Sequence, residues 1–201
     1  MLGLDLENLI RTVGYIGMFT IILIETGLLA GFFLPGDTLL LTAGIVAASG
    51  QLELPWVILV CSLGSICGDQ LGYWFGKTFG NKIFTRPQSR LFDPKNVDKA
   101  KAFFDKYGML TIIVARFIPI IRAFAPTMAG VSGVPYKTFL GLSVIGGILW
   151  GSSLTSLGFF LGKVIGAATL EKYLLGIIAL GILAGVVPSV IHLLRANKSH
   201  G

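Results

Sequence analysis

Stretches without a charged residue sort this chain into two kinds of apolar segment. Residues 138–162, between Lys137 and Lys163, give 25 uncharged positions, and residues 173–194, between Lys172 and Arg195, give 22. A helix that crosses a bilayer needs about 20, so both segments predict full spans. A third, from Pro55 to Gly76, is long enough but carries Asp69. Pro55 in LELPW and Pro135 in GVPYK suit the first turn of a helix, where a missing N–H costs nothing.

Two other regions are interrupted. From Arg11 to Glu53 the uncharged runs are 13, 11 and 15 residues, separated by Glu25 and Asp37. From Lys106 to Lys137 they are 9, 5 and 14, separated by Arg116 and Arg122. The first region contains FFLPGDTLL and the second ARFIPIIRAFAP, each with a proline at its middle. Proline removes a helical hydrogen bond and clashes with the preceding turn. Non-helical backbone at membrane depth survives only where protein or a wet cavity satisfies it. Each region therefore predicts two half-helices meeting at a polar tip, a re-entrant hairpin. Pro35, Gly36, Pro119 and Pro126 mark the expected tips.

Charge distribution supports an entering and returning chain in the second region. Segment 77–106 holds eight Lys or Arg residues against Asp93, Asp98 and Asp105, and the tail adds Arg195 and Lys198. If both are cytoplasmic, an even number of crossings separates them. Segments 138–162 and 173–194 already supply two. The side of the N-terminus stays open, because Arg11 against Asp5 and Glu7 decides nothing. DPKNVDKAKAFFDK, residues 93–106, can gather Val97, Ala100, Phe103 and Phe104 on one face. It suits an interfacial amphipathic helix as well as a solvated connector.

Offsetting the chain by 86 residues brings Gly44 onto Gly130, Gly72 onto Gly158, Gly76 onto Gly162, Gly80 onto Gly166 and Lys77 onto Lys163. One crossing between two hairpins would make them enter from opposite faces, an inverted repeat of the kind found in secondary transporters. The expected fold is an all-α polytopic membrane protein. It has two re-entrant hairpins in inverted repeat, about three full spans and an interfacial amphipathic helix. The organisation is one domain over 1–201: a first repeat at about 12–80, a connector at 81–106, a second repeat at about 107–166 and a C-terminal helix at 172–195. Gly64, Gly68, Gly72, Gly76 and Gly80 form an every-fourth ridge, a stripe that lets helices approach closely. Such ridges would permit a homodimer without demanding one.

Composition agrees. Of 201 residues, 54% are hydrophobic and 13% charged, against about 25% charged in soluble domains. The net charge of +6 sits mainly between apolar segments, where a membrane protein keeps cytoplasmic positive charge, so nucleic acid is not an expected partner. A secretory signal needs a basic start, and Asp5 and Glu7 precede the first apolar stretch; that stretch is expected to be retained. Cys61 and Cys67 lie about 240° apart around one helix and, without a nearby histidine, are expected to pack rather than bind metal. His192 and His200 lie far from every candidate site.

Glu25, Asp37, Asp69, Arg116 and Arg122 stand in apolar surroundings. An Arg or Asp at a helix centre costs about 2.5–3.5 kcal/mol on insertion scales. Mutual pairing within the fold is one explanation, and pairing that also serves a substrate is the other. Arginine keeps its charge and offers a planar fork that matches phosphate oxygens in pairs. Helix N-termini at a broken tip would add N–H donors. Arg116 and Arg122 therefore suit an anionic, phosphate-bearing headgroup. Glu25 and Asp37 suit proton coupling, since a carboxyl in an apolar cavity beside an arginine is balanced between its charged and neutral forms. Asp69 is an accessory candidate, and a packing partner for a Lys or Arg is an equal alternative.

FLPGDTLLLTAG, with Glu25 twelve residues before Asp37, then GDQLGYWFGK and ARFIPIIRAFAPTMAG, closely resemble the bacterial DedA family. That family is related to the eukaryotic SNARE-associated, VTT-domain proteins. The resemblance covers roughly residues 15–165. It implies a multi-pass protein of the bacterial cytoplasmic membrane with paired re-entrant hairpins. It also implies proton-dependent envelope functions and movement of phospholipids or undecaprenyl phosphate. The family's essential acids would fall on Glu25 and Asp37, and its essential arginines on Arg116 and Arg122. The expected activity is a translocase of a lipid phosphate, with membrane lipids as partners and no cofactor beyond the proton gradient. A proton-coupled antiporter of small ions or drugs, and a general phospholipid scramblase, are the alternatives. An enzyme is not expected: a lipid phosphatase needs a nucleophile with an acid/base partner, and the apolar core holds no histidine.

Overall fold

A computed structural model describes residues 6–27, 36–83, 108, 110–165 and 176. Its helices are α1 (Leu6–Gly27), α2 (Gly36–Ala48), α3 (Leu54–Ile83), α4 (Thr111–Ala115), α5 (Pro119–Val131) and α6 (Tyr136–Ile165). No strand occurs among the described residues. Two stretches are long and apolar enough to span a bilayer, Leu54–Gly80 and Tyr136–Ile165. The expected C-terminal span 172–195, apart from helical Gly176, and the connector helix 93–106 fall outside the described residues. So do Pro35 and the rest of the 28–35 segment joining α1 to α2.

The outward faces of the long helices are greasy. Trp56, Leu59, Leu63, Leu71 and Trp74 are exposed on α3, as are Ile145, Ile148, Leu149, Leu157 and Phe160 on α6. The buried positions include Ser62, Ser65, Asp69, Ser143 and Thr155. A water-soluble helix has the opposite arrangement, so these faces are built for lipid.

The chain forms two compact units. The first contains Met1–Ile22, Phe33–Gly64 and Gly151–Gly201; the second contains Leu23–Phe32 and Ser65–Trp150. In the first, α2 packs on the second half of α6. A Cβ added to Gly44 would collide with Thr155 O and come within 2.8 Å of Phe159 N, and one on Gly158 would collide with Leu41 O. In the second unit, α5 packs on the second half of α3 in the same way. A Cβ on Gly130 would collide with Tyr73 O and come within 2.8 Å of Lys77 N, and one on Gly76 would collide with Thr127 O. The two contacts match: α2 lies on α6 as α5 lies on α3.

These matched contacts correct the repeat register. Gly44 and Gly130 correspond at the expected offset of 86, and so do Leu41 and Thr127. The long helices do not: Gly76 plays the part of Gly158, and Gly80 that of Gly162, an offset of 82. The pairings of Gly72 with Gly158, Gly76 with Gly162, Gly80 with Gly166 and Lys77 with Lys163 are one helical turn out. A glycine at every fourth position makes two offsets four apart match almost equally well, which is why the pattern alone misplaced them.

Both half-helices are 13 residues long and end alike. Gly50 and Gly133 have φ of 86° and 76°, and their N–H groups bond back to Ala47 O and Gly130 O at 3.1 and 3.4 Å. After α5 the Val134 N–H also reaches Ala129 O at 3.1 Å, completing a Schellman end that only a left-handed residue such as glycine makes easily. The Tyr73 hydroxyl donates to Val134 O at 2.6 Å and its ring stacks on Phe139 at 4.7 Å, fastening this turn to α3.

Pro126 does not form a tip. It lies inside α5 and is buried against α3, where a Cβ on Gly72 would stand 3.0 Å from its own Cβ. Packing against a smooth glycine surface outweighs its missing N–H. Gly44→Ala and Gly130→Ala should each destabilise the protein by about 1–3 kcal/mol, because added volume meets helix backbone. Gly141→Ala, which meets nothing within 4 Å, should stay within about 0.5 kcal/mol. Thermal unfolding in detergent micelles reads all three, and equal losses would refute the close-approach argument.

Candidate functional site

The second unit gathers four of the five charges singled out in the sequence. On α1, Met18, Ile22, Glu25 and Thr26 are buried, a one-sided stripe at helical spacing with a carboxylate in it. The end of α1 lies close on α3. A Cβ on Gly68 would collide with Thr26 Oγ1, and the Thr26 hydroxyl lies 3.4 Å from the Ser65 carbonyl it bonds to. That contact fixes where Glu25 points.

The arginines come from the break between α4 and α5. After Ala115 the N–H groups of Arg116, Phe117 and Ile118 each bond three residues back, at 3.1–3.2 Å, the tighter turn that often closes a helix. Ile118 then becomes extended (φ −114°, ψ 106°) and Pro119 opens α5, a position that suits a residue without an N–H. Arg122 lies in the first turn of α5, its N–H on Ile118 O at 2.9 Å.

Both guanidinium groups are buried and paired. Arg122 Nη2 donates to Glu25 Oε1 at 2.5 Å, and its plane lies 4.6 Å from the centre of the Trp150 ring, a cation–π contact. Trp150 stands midway between Lys137 and Lys163, so this pair sits near the middle of the α6 span. Arg116 Nη2 pairs with Asp69 Oδ2 and lies 3.1 Å from Ser143 O; Nη1 donates to Ser65 Oγ at 2.5 Å. Ser143 is about 10 Å nearer the Lys137 end of α6, from the helical rise. The two pairs form two levels along one helix.

Asp37 belongs to the first unit. It is half-buried in the first turn of α2, where a negative charge favours the helix N-terminus. Gly36 is the buried first residue of that helix, and Pro119 is the first residue of α5. The pattern reading missed Ser65, Ser143 and Trp150. Small hydroxyls and one tryptophan in a long apolar helix look like packing until their partners are known. No group of three His, Cys, Asp or Glu residues that could hold a metal occurs among the described residues.

The chain matches the VTT domain over residues 34–160. It is 38% identical over 188 residues to Protein DedA of Escherichia coli, covering 92% of this chain and 86% of that one. An uncharacterized membrane protein of Mycobacterium leprae is 41% identical over 169 residues, 83% of this chain and 75% of its own. Inner membrane protein YghB of Escherichia coli is 34% identical over 155 residues, 77% of this chain and 71% of its own. No solved structure matches.

Breaking a buried ion pair from one side strands the other charge and costs about 3–5 kcal/mol. Glu25→Ala should therefore destabilise the protein by that order, and adding Arg122→Met should recover much of the loss. A double-mutant cycle by thermal unfolding in detergent measures the coupling; strictly additive losses would mean the pair does not exist.

Proposed function

This chain belongs to the DedA family of VTT-domain membrane proteins, and we propose that it carries a lipid phosphate, undecaprenyl phosphate in the first instance, across the bacterial cytoplasmic membrane. The observation behind this reading is the Arg122–Glu25 pair, buried on Trp150 near mid-span. A guanidinium held in the apolar interior against a carboxylate suits an anion that must pass through that interior. A phosphate arriving at Arg122 takes the place of Glu25 on the guanidinium. An uncompensated carboxylate charge is costly in dry surroundings, so the proposed exchange couples headgroup binding to uptake of a proton at Glu25. Asp37, in the first turn of α2, is the second acid proposed for this proton traffic. The N-terminus of α5 adds backbone N–H groups and a partial positive charge beside Arg122. No covalent bond is broken in this scheme, so the protein acts as a carrier and not an enzyme.

The same proposal sets the topology. Segment 77–106 and the tail lie in the cytoplasm, and the chain through α4 and α5 enters and returns as a re-entrant hairpin. At 13 residues α5 is about 20 Å long, too short to cross. We propose an inverted repeat of this arrangement for the region of α1 and α2, where α2, at 13 residues, is too short to cross while α1 runs unbroken for 22.

In proteoliposomes loaded with undecaprenyl phosphate, the protein should speed its appearance on the far face, and an imposed pH gradient should speed it further. Arg122→Ala should lose the transfer at least tenfold. Glu25→Gln should remove the response to the gradient. Unchanged transfer by a folded Arg122→Ala protein would sink the mechanism.

A further inference from the structure

We infer that Arg116 is a positioning residue, locked in a cradle of Asp69, Ser65 and Ser143, and that this cradle leaves recognition of the phosphate to Arg122. The inference rests on the lipid-phosphate reading and narrows it.

A guanidinium grips phosphate in pairs along one of two edges, Nε with Nη2 or Nη1 with Nη2. Both edges use Nη2. In Arg116 that nitrogen donates to Asp69 Oδ2 and lies 3.1 and 3.3 Å from the carbonyl and hydroxyl oxygens of Ser143. Nη1 donates to Ser65 Oγ at 2.5 Å. The flank carrying Nε is closed by α6 backbone: a Cβ on Gly146 would stand 2.7 Å from both Nε and Cδ. The Ser143 hydroxyl donates to Asp69 Oδ2 at 2.6 Å, so the carboxylate is gripped from two sides. Displacing a buried carboxylate is common to both arginines; at Arg116 a phosphate would also have to displace Ser65 and Ser143 and prise the α6 backbone away at Gly146.

What the cradle fixes is the backbone around it. Arg116 ends α4, Ile118 is extended, and α5 begins at Pro119. Arg122 follows within one turn, its N–H on Ile118 O. Clamping Arg116 to α3 through Ser65 and Asp69, and to α6 through Ser143, sets where α5 starts and so where Arg122 meets Glu25 and Trp150.

The test uses full-length protein in which Trp56→Phe and Trp74→Phe leave Trp150 as the only tryptophan. Its emission reports Arg122 without any lipid present. In this background Asp69→Asn and Arg116→Gln should each shift the emission and lower the maximal rate of undecaprenyl phosphate transfer about tenfold. Neither should change the half-saturating lipid fraction by more than twofold. The paired variant Asp69→Asn with Arg116→Gln should restore emission and at least half of the lost rate, whereas Arg122→Gln should raise the half-saturating fraction at least tenfold. Ser143→Ala, a milder change, should shift the emission in the same direction should the charge variants fail to fold. A tenfold rise in the half-saturating fraction for Arg116→Gln, unrelieved in the paired variant, would make Arg116 a ligand and overturn the proposal. Emission unmoved by Asp69→Asn, or by Ser143→Ala, would overturn it too. If the parent protein moves no undecaprenyl phosphate, the transport reading fails, while the emission of these variants still decides whether Arg116 positions Arg122.

Discussion

A charge placed among apolar helices must be neutralised by its own neighbours, and that requirement organises the second unit of this protein. Two arginines leave one broken segment and meet two carboxylates, Asp69 on α3 and Glu25 on α1. Neither pair is local in sequence. Each guanidinium ties the break between α4 and α5 to a different helix, and Ser143 and Trp150 add α6 to the assembly. Because a half-broken pair is worse than none, the pairs specify one arrangement of α1, α3, α6 and the α4–α5 break more strongly than greasy surfaces could. Among hydrocarbon tails, apolar contact gives helices little reason to prefer one another.

The two pairs share chemistry but differ in setting. Arg116 is enclosed by hydroxyls, a carbonyl and the bare backbone at Gly146. Arg122 meets a carboxylate at its edge and an aromatic face on its plane. An aromatic face attracts a cation without competing for its N–H groups, so such a contact can persist while the hydrogen-bonded partner is exchanged. Both arginines are buried, and on the proposed reading their surroundings divide anchoring from exchange.

Much of this was legible in the pattern of charged and apolar positions. The long helices followed from uncharged length, and the break at Pro119 followed from a proline set between two arginines. The burial of Glu25, Asp69, Arg116 and Arg122 followed from their apolar surroundings. Which carboxylate meets which arginine did not follow, because partners lie up to 97 positions apart and nothing local encodes the match. Pro126 was misread because proline reports the loss of a hydrogen bond but not the packing that can offset it. Ser65, Ser143 and Trp150 carried no signal by themselves; their meaning comes only from the group each one touches.

The four-residue difference between the two offsets is one helical turn, and the glycine series of α3 tolerates it. A helix with glycine at every fourth place presents a smooth track, and lengthening the chain by one turn returns that track to nearly the same azimuth. Change by two residues would swing it about 200° away and drive side chains into backbone that tolerates none. Where α5 meets α3, chain can therefore be gained or lost in whole turns but not in half turns without bringing side chains onto backbone.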